Sequence, residues 1–166
     1  MLCVTGYTES QLKRINAAAE KTAIFLSSNT SLGVYVLRRA VTLAAKELKN
    51  FDAEIIEIHH AAKKDAPSGT ALALANDVKS ARENAAFVFG RKGYAPRDKN
   101  EIGVHSVRGG NVTGEHTVIF AGENETLTFT HSATDKSVFA AGAIKAAIFV
   151  SDKKRGLYGM KDLFGE

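Results

Sequence analysis

Residues 54–71 read EIIEIHHAAKKDAPSGTA, and they bring histidine, lysine, carboxylate and hydroxyl side chains together in one run. Two adjacent histidines, His59 and His60, close a β-branched stretch, and a lysine pair, Lys63 and Lys64, follows. Asp65, Pro67, Ser68, Gly69 and Thr70 then lead into a helix-like segment. A histidine titrates near neutrality and can give or take a proton. Lys63 adds a full positive charge. The free N–H groups of a helix start bind carboxylate or phosphate, and glycine there lets a ligand approach the backbone. Together these groups could bind and protonate a small anion. The same residues also suit a plainer arrangement, with polar histidines at a strand end, a solvated lysine face and a serine that only caps its helix. Residue type and spacing leave both open.

The elements that must position this stretch are legible around it. Ile55 and Ile56 favour extended backbone, so 53–58 is predicted as a strand. Asp65-Ala-Pro-Ser-Gly-Thr reads as a turn into a helix, with Pro67 compatible with the first turn and Asp65 or Ser68 available as the cap. The helix is predicted over Thr70–Arg82, with Leu72, Ala75 and Val78 on its buried side.

The pattern Glu54-x-x-Glu57-x-His59-His60-x-x-Lys63-x-Asp65-Ala-Pro-Ser-Gly-Thr-Ala resembles the signature of the bacterial dihydrodipicolinate reductases, also called 4-hydroxy-tetrahydrodipicolinate reductases. These are NAD(P)H-dependent enzymes of the diaminopimelate and lysine pathway. The resemblance implies roles for individual residues. His59 would be the general acid/base. Lys63 would be a second proton donor and a partner for developing negative charge. His60 would help bind the substrate, a cyclic dicarboxylate. Ser68, Gly69 and Thr70 would hold one of its carboxylates.

The same resemblance places the nicotinamide end of the cofactor, NADPH or NADH, at two earlier loops. The family's G-T-T-G loop corresponds to Cys3-Val4-Thr5-Gly6, where Thr5 and Gly6 match and Cys3 replaces a glycine. Its A-N-F-S-like loop corresponds to Ser28-Asn29-Thr30-Ser31, where Asn29 and Ser31 match and Thr30 replaces an aromatic residue. Lys136 stands where many family members carry an arginine near the cofactor. The family pairs its substrate-domain sheets into a homotetramer, so the same assembly is implied here.

Composition bounds the alternatives. At 166 residues, the chain is one domain, or one domain and part of another. Its hydrophobic fraction of 45% and charged fraction of 24% are ordinary for a globular protein. A net charge of +4 suits an anionic small molecule and is too diffuse to argue for nucleic acid. No run has the apolar length of a membrane span, and the start lacks a signal-peptide pattern. The single cysteine, Cys3, has no internal disulfide partner, which points to the cytoplasm; it reads as a small buried strand residue.

Taken in order, Leu2–Thr5 is predicted as a short buried strand. A helix follows with Leu12, Ile15 and Ala19 on one face, and Thr8 with Gln11 forms a capping box. Ala23–Leu26 is a second strand and 27–31 a polar loop. A long helix over Leu32–Lys49 is expected to bury Leu32, Val36, Ala40, Leu43 and Leu48. No G-x-G-x-x-G follows a strand. The chain is therefore expected to begin inside a dinucleotide-binding domain, with 1–31 its remnant, 32–150 a substrate-binding and tetramerisation domain, and 151–166 a tail.

Residues 83–100 read as a long irregular basic segment, either a lid over an anionic site or a solvated loop. From Ile102 to Ala133 the period changes to two. Val112, Gly114, His116, Val118 and Phe120 share one face, Leu127, Phe129 and His131 another, and Gly122-Glu-Asn turns between them. Arg108, beside a Gly-Gly turn, is placed near the substrate site without a fixed role. His105, His116 and His131 read as polar strand-end positions, since no paired cysteine or H-x-x-x-H spacing argues for a metal. A helix over Lys136–Val150 is expected to bury Phe139, Ala143, Ala146 and Val150, and the chain then closes in a loop. The fold class is α+β: a mixed, largely antiparallel sheet flanked by helices, after a Rossmann-type α/β remnant. The competing function is a non-catalytic dicarboxylate-binding or oligomerisation module, favoured by the missing phosphate loop. The intact His–Lys motif favours the enzyme.

Overall fold

The structure, a computed structural model, describes residues 1–4 and 6–165. Its elements run α1 (Glu9–Ala19), β1 (Ala23–Phe25), α2 (Leu32–Glu47), β2 (Asp52–His59), α3 (Gly69–Lys79), β3 (Ala86–Phe89), β4 (Glu101–Arg108), β5 (Gly114–Ala121), β6 (Thr126–Ala133), α4 (Ser137–Ser151), β7 (Gly156–Tyr158) and α5 (Met160–Leu163). They form two compact units, Met1–Tyr35 with Lys136–Glu166, and Val36–Asp135.

The continuous unit holds a mixed five-stranded sheet in the order β3-β4-β2-β5-β6. Strand β2 is central, parallel to β4 and antiparallel to β5. The expected hairpin is present, with β5 antiparallel to β6. The expected antiparallel succession does not extend to β4 and β5, because β2 lies between them. The crossover through α3 makes β3 and β4 parallel to β2, as a strand–helix–strand connection requires.

Helices α2 and α3 cover one face of this sheet. Leu37, Val41, Ala44 and Ala45 of α2 and Ala71, Leu74, Ala75 and Val78 of α3 meet Ala53, Ile55, Ile102, Val104, Val118 and Phe120. The expected apolar stripe of α2 is largely the wrong one: Leu32, Val36 and Leu43 are exposed. Both stripes have helical spacing, and the stripe carrying Ala44 and Ala45 lets the helix lie close to the strands.

The segment 83–100 is not wholly irregular, since Ala86–Phe89 forms edge strand β3. The loop beyond it is fastened by Arg97. That guanidinium donates to Glu54 at 2.9 Å, to Asp52 at 2.8 Å and to the carbonyls of Ala53 and Glu101. These partners lie at the starts of β2 and β4, at the opposite end of β2 from His59, so Arg97 holds the loop there and not over the histidine.

The discontinuous unit joins both ends of the sequence. Strand β1 pairs in parallel with β7, Ala23 against Gly156 and Phe25 against Tyr158. Phe149 of α4 packs edge-on against Phe25 and Tyr158. The final helix and the tail therefore belong with residues 1–35. The sequence alone places α4 with the 32–150 domain and sets the tail apart; the structure differs on both. A three-residue strand such as β7 is too short to show a period. The opening strand is reduced to one bridge, Leu2 to Leu26, while Cys3 and Val4 are exposed. Around α1 the predicted capping box forms, Thr8 Oγ1 accepting from the Gln11 N–H and Gln11 Oε1 from the Thr8 N–H. No helix among the described residues is long and apolar enough to cross a membrane.

Candidate active site

Alternation along β2 decides what sits at its end. Ala53, Ile55, Glu57 and His59 share the helix-covered face. Two polar side chains therefore end a run that is otherwise core. Glu57 is wholly inaccessible and His59 is 9% exposed.

A buried carboxylate must be paired, and Glu57 is. Its Oε2 accepts from His59 Nδ1 at 2.5 Å and from Arg108 Nη1 at 2.8 Å. Its Oε1 accepts from Arg108 Nη2 at 2.8 Å and from the Ser68 backbone N–H at 3.1 Å. Arg108 stands opposite His59 in the β2–β4 register, which brings its fork across to Glu57. Its Nη1 also donates to the Val107 carbonyl and its Nη2 to the Asp65 carbonyl, each at 2.7 Å. Burial alone would raise the Glu57 pKa. The bonds from Arg108, Ser106, His59 and Ser68 outweigh it and bring it down to about 2.

An ionised carboxylate only accepts hydrogen bonds, so His59 carries a proton on Nδ1. Nε2 is then the remaining ring nitrogen. Gly114 lies beside it, and a Cβ built there would stand 3.0 Å from Nε2. Burial lowers the His59 pKa, Glu57 opposes this, and Lys63 and Arg108 lower it further, so the ring is neutral at neutral pH.

His116 is not a strand-end residue. It is buried on β5 with its ring edge-on to His59, centroids 5.1 Å apart, and its Nε2 lies 3.0 Å from Ser68 Oγ. Burial first, and then the charge of a protonated His59, push its pKa down to about 4. Ser68 in turn caps α3 by accepting from the Ala71 N–H at 3.2 Å. Of the two predicted caps, Ser68 is the one used; Asp65 instead accepts from Lys63 Nζ at 2.7 and 2.9 Å.

The structure thus gathers His59, Lys63, Ser68 and the helix start at Gly69 and Thr70 around the end of β2. His60 follows on the adjoining turn, half-buried, its carbonyl accepting from the Lys63 N–H. Lys64 points to solvent. Sequence reasoning did not single out Glu57 or His116 as working residues, and it left Arg108 without a role. The signal for Glu57 was its spacing, two residues before His59 on a strand whose other members on that face are apolar.

The residues expected to face the cofactor belong to the discontinuous unit. Thr5 lies outside the described residues. Gly6 is exposed with φ +83°. In the 27–31 loop, Asn29 Oδ1 accepts from the Ser31 N–H at 2.8 Å and Ser31 Oγ from the Val34 N–H at 3.3 Å. Thr30 Oγ1 donates to the Phe139 carbonyl at 2.7 Å. Those side chains shape the loop and start α2, while Ser28 and Lys136 are exposed.

A mixed sheet that presents a buried, oriented histidine beside a capped helix start and a lysine is chemically suited to binding an anion and exchanging a proton with it. Comparison with known proteins gives the chain's family. Residues 33–164 match the family model described as the C-terminus of dihydrodipicolinate reductase. The chain is 50% identical over 164 residues to the 4-hydroxy-tetrahydrodipicolinate reductase of Brachyspira hyodysenteriae, covering 98% of this chain and 71% of that protein. It is 48% identical over 163 residues to the enzyme of the same name from Aquifex aeolicus, covering 97% of this chain and 62% of that protein. Among solved structures, a dipicolinate-bound dihydrodipicolinate reductase from Paenisporosarcina sp. TG-14 superposes with a TM-score of 0.71 at 28% identity, covering 96% of this chain and 62% of that one. The chain belongs to the dihydrodipicolinate reductase family, and it spans about two thirds of the length of these relatives.

Proposed function

We propose that this chain carries the substrate-binding and proton-handling part of an NAD(P)H-dependent 4-hydroxy-tetrahydrodipicolinate reductase, an enzyme of cytoplasmic diaminopimelate and lysine biosynthesis. The observation that carries the proposal is the neutral, buried His59, held through Nδ1 and standing beside Lys63 and the Ser68-capped start of α3. The structural relative named as dipicolinate-bound supports a cyclic dicarboxylate as the ligand.

In this function the helix start at Ser68, Gly69 and Thr70 binds one substrate carboxylate, and Lys63, with His60, binds and polarises the same anion. His59 exchanges a proton at Nε2, and Lys63 stabilises negative charge that develops on the ring. Overall the substrate gains a hydride and a proton and loses its 4-hydroxyl as water. The nicotinamide supplies the hydride when bound. Gly6 and the Ser28–Ser31 loop suit contact with its nicotinamide end through backbone and the exposed Ser28. No glycine-rich phosphate loop opens a helix among the described residues.

Assembly is part of the proposal. The sheet face turned away from α2 and α3 carries Ile56, Ile58, Val107 and Ile119 with Thr117, Thr128 and Thr130. Such a face supports pairing of sheets between copies, as in a homotetramer. The alternative, a dicarboxylate-binding module without turnover, is favoured only by the lack of that phosphate loop.

The test is calorimetric titration of pyridine-2,6-dicarboxylate into the chain with and without NADPH, in the wild type and Lys63→Ala. Binding that weakens in the variant supports the site. A dicarboxylate heat with no heat from NADPH assigns the chain to the substrate half alone. Absence of dicarboxylate binding in both forms refutes the assignment.

A further inference from the structure

A histidine that must be oriented by a carboxylate ordinarily becomes more basic through the same contact. Here a second partner intervenes. Four of the five guanidinium N–H groups of Arg108 are committed, two to Glu57 and one each to the carbonyls of Val107 and Asp65. Arg108 therefore has little left for a substrate, and its charge is spent on Glu57.

We infer that Glu57 and Arg108 are a positioning pair for His59: the carboxylate fixes the ring with Nδ1–H turned to it and leaves Nε2 as the proton-exchanging atom, while Arg108 grips both oxygens of the same carboxylate and offsets part of its charge. Glu57 also accepts from the Ser68 N–H, which ties the same anchor to the start of α3. The histidine and the helix start are therefore set against one another by a single buried group. Gly114 completes the arrangement, since any side chain there would press on Nε2.

The groups facing His59 are Glu57 on its own strand, Arg108 on β4, His116 on β5 and Lys63 on the loop leading to α3. Lys63 and His116 act in both wild type and variants, so they set a background and not the contrast. Removing the carboxylate in Glu57→Gln takes away the anion but keeps the cation, and the His59 titration midpoint should fall. Removing the cation in Arg108→Gln leaves the anion uncompensated, and the midpoint should rise. A charge at this range moves a neighbour by about 1 pH unit or more. A pair with a purely structural role would not drive the two midpoints in opposite directions.

The inference rests on the assignment of His59 as the proton-exchanging group, and the experiment separates the two. Long-range proton–nitrogen NMR on histidine-labelled protein reads the tautomer and the midpoint without any substrate. The expected result is Nδ1–H in the wild type at neutral pH, a mixed or reversed tautomer in Glu57→Gln, and opposite midpoint shifts in the two variants. A wild-type His59 protonated on Nε2, or equal midpoint shifts in both variants, overturns the inference. If either variant fails to fold, the wild-type tautomer still decides. Failure of dicarboxylate titration alongside the expected tautomer overturns the functional assignment and leaves the positioning pair standing.

Discussion

Acid should destabilise this protein through His116 before it touches the carboxylates. The ring is buried, its Nε2 is engaged with Ser68 Oγ, and no partner is found for Nδ1 among the described residues. A protonated imidazole would bury a charge with an unsatisfied donor. The folded pKa of about 4 lies below the usual 6.5, so between these values the unfolded chain binds a proton that the fold rejects. The stability from neutral His116 is thus fully present above pH 6.5 and is lost as pH falls towards 4. Between about pH 7.5 and about pH 4.5 this linkage removes about 2–3 kcal/mol. The assay is urea unfolding followed by circular dichroism across that range, for the wild type and His116→Gln. The variant should start less stable and lose about 2–3 kcal/mol less on acidification. His59, whose pKa is also lowered, loses stability in the same direction in both proteins and largely cancels. Parallel losses in the two proteins would refute the account. Glu57 acts lower down: its contribution is present above 4.5 and is lost as pH falls towards 2.

Other substitutions test other parts. Lys63→Ala should weaken dicarboxylate binding by about ten- to a hundredfold, the worth of one charge-assisted hydrogen bond, whereas the exposed Lys64→Ala should leave calorimetric affinity nearly unchanged. Leu74→Ala, at a fully buried position on α3, should cost about 2–5 kcal/mol in chemical denaturation. At Gly142 a Cβ would stand 1.9 Å from the Thr30 carbonyl oxygen, a backbone atom with no room to yield. Gly142→Ala should therefore cost about 1–3 kcal/mol. Amide exchange should quicken in β1 and β7 while β2 and β4 stay protected; uniform loss of protection would contradict the division into two units.

Where the sequence succeeded, local physics and a long motif agreed. The strand ending at His59, the serine cap and the β5–β6 hairpin each follow from alternation or turn chemistry confined to a few residues. The misses share a different cause. Two stripes of α2 have equal claim by spacing, and only the sheet beneath decides between them. Strands β3 and β7, at four and three residues, carry no usable period. The role of Arg108 depends on β4 lying in parallel register with β2, a pairing that neither strand encodes alone. His116 reads from the sequence only as a polar strand-end position, because its partner, Ser68, is 48 positions away. Glu57 was within reach: it stands on the face of Ala53 and Ile55, and a glutamate there announces a buried pair.

The parallel pairing of β1 with β7 has a bearing on how the chain reaches its fold. Strand β1 is synthesised well before its partner at Gly156–Tyr158. Residues 36–135 can close their sheet and core while synthesis continues, since all their pairings fall within that span. The unit that joins residues 1–35 to 136–166 must wait, with the β7-facing edge of β1 unpaired until then. Arrest of translation before residue 156 should therefore yield a folded 36–135 unit beside a β1 strand that still lacks β7, a species that chaperones or proteases would meet.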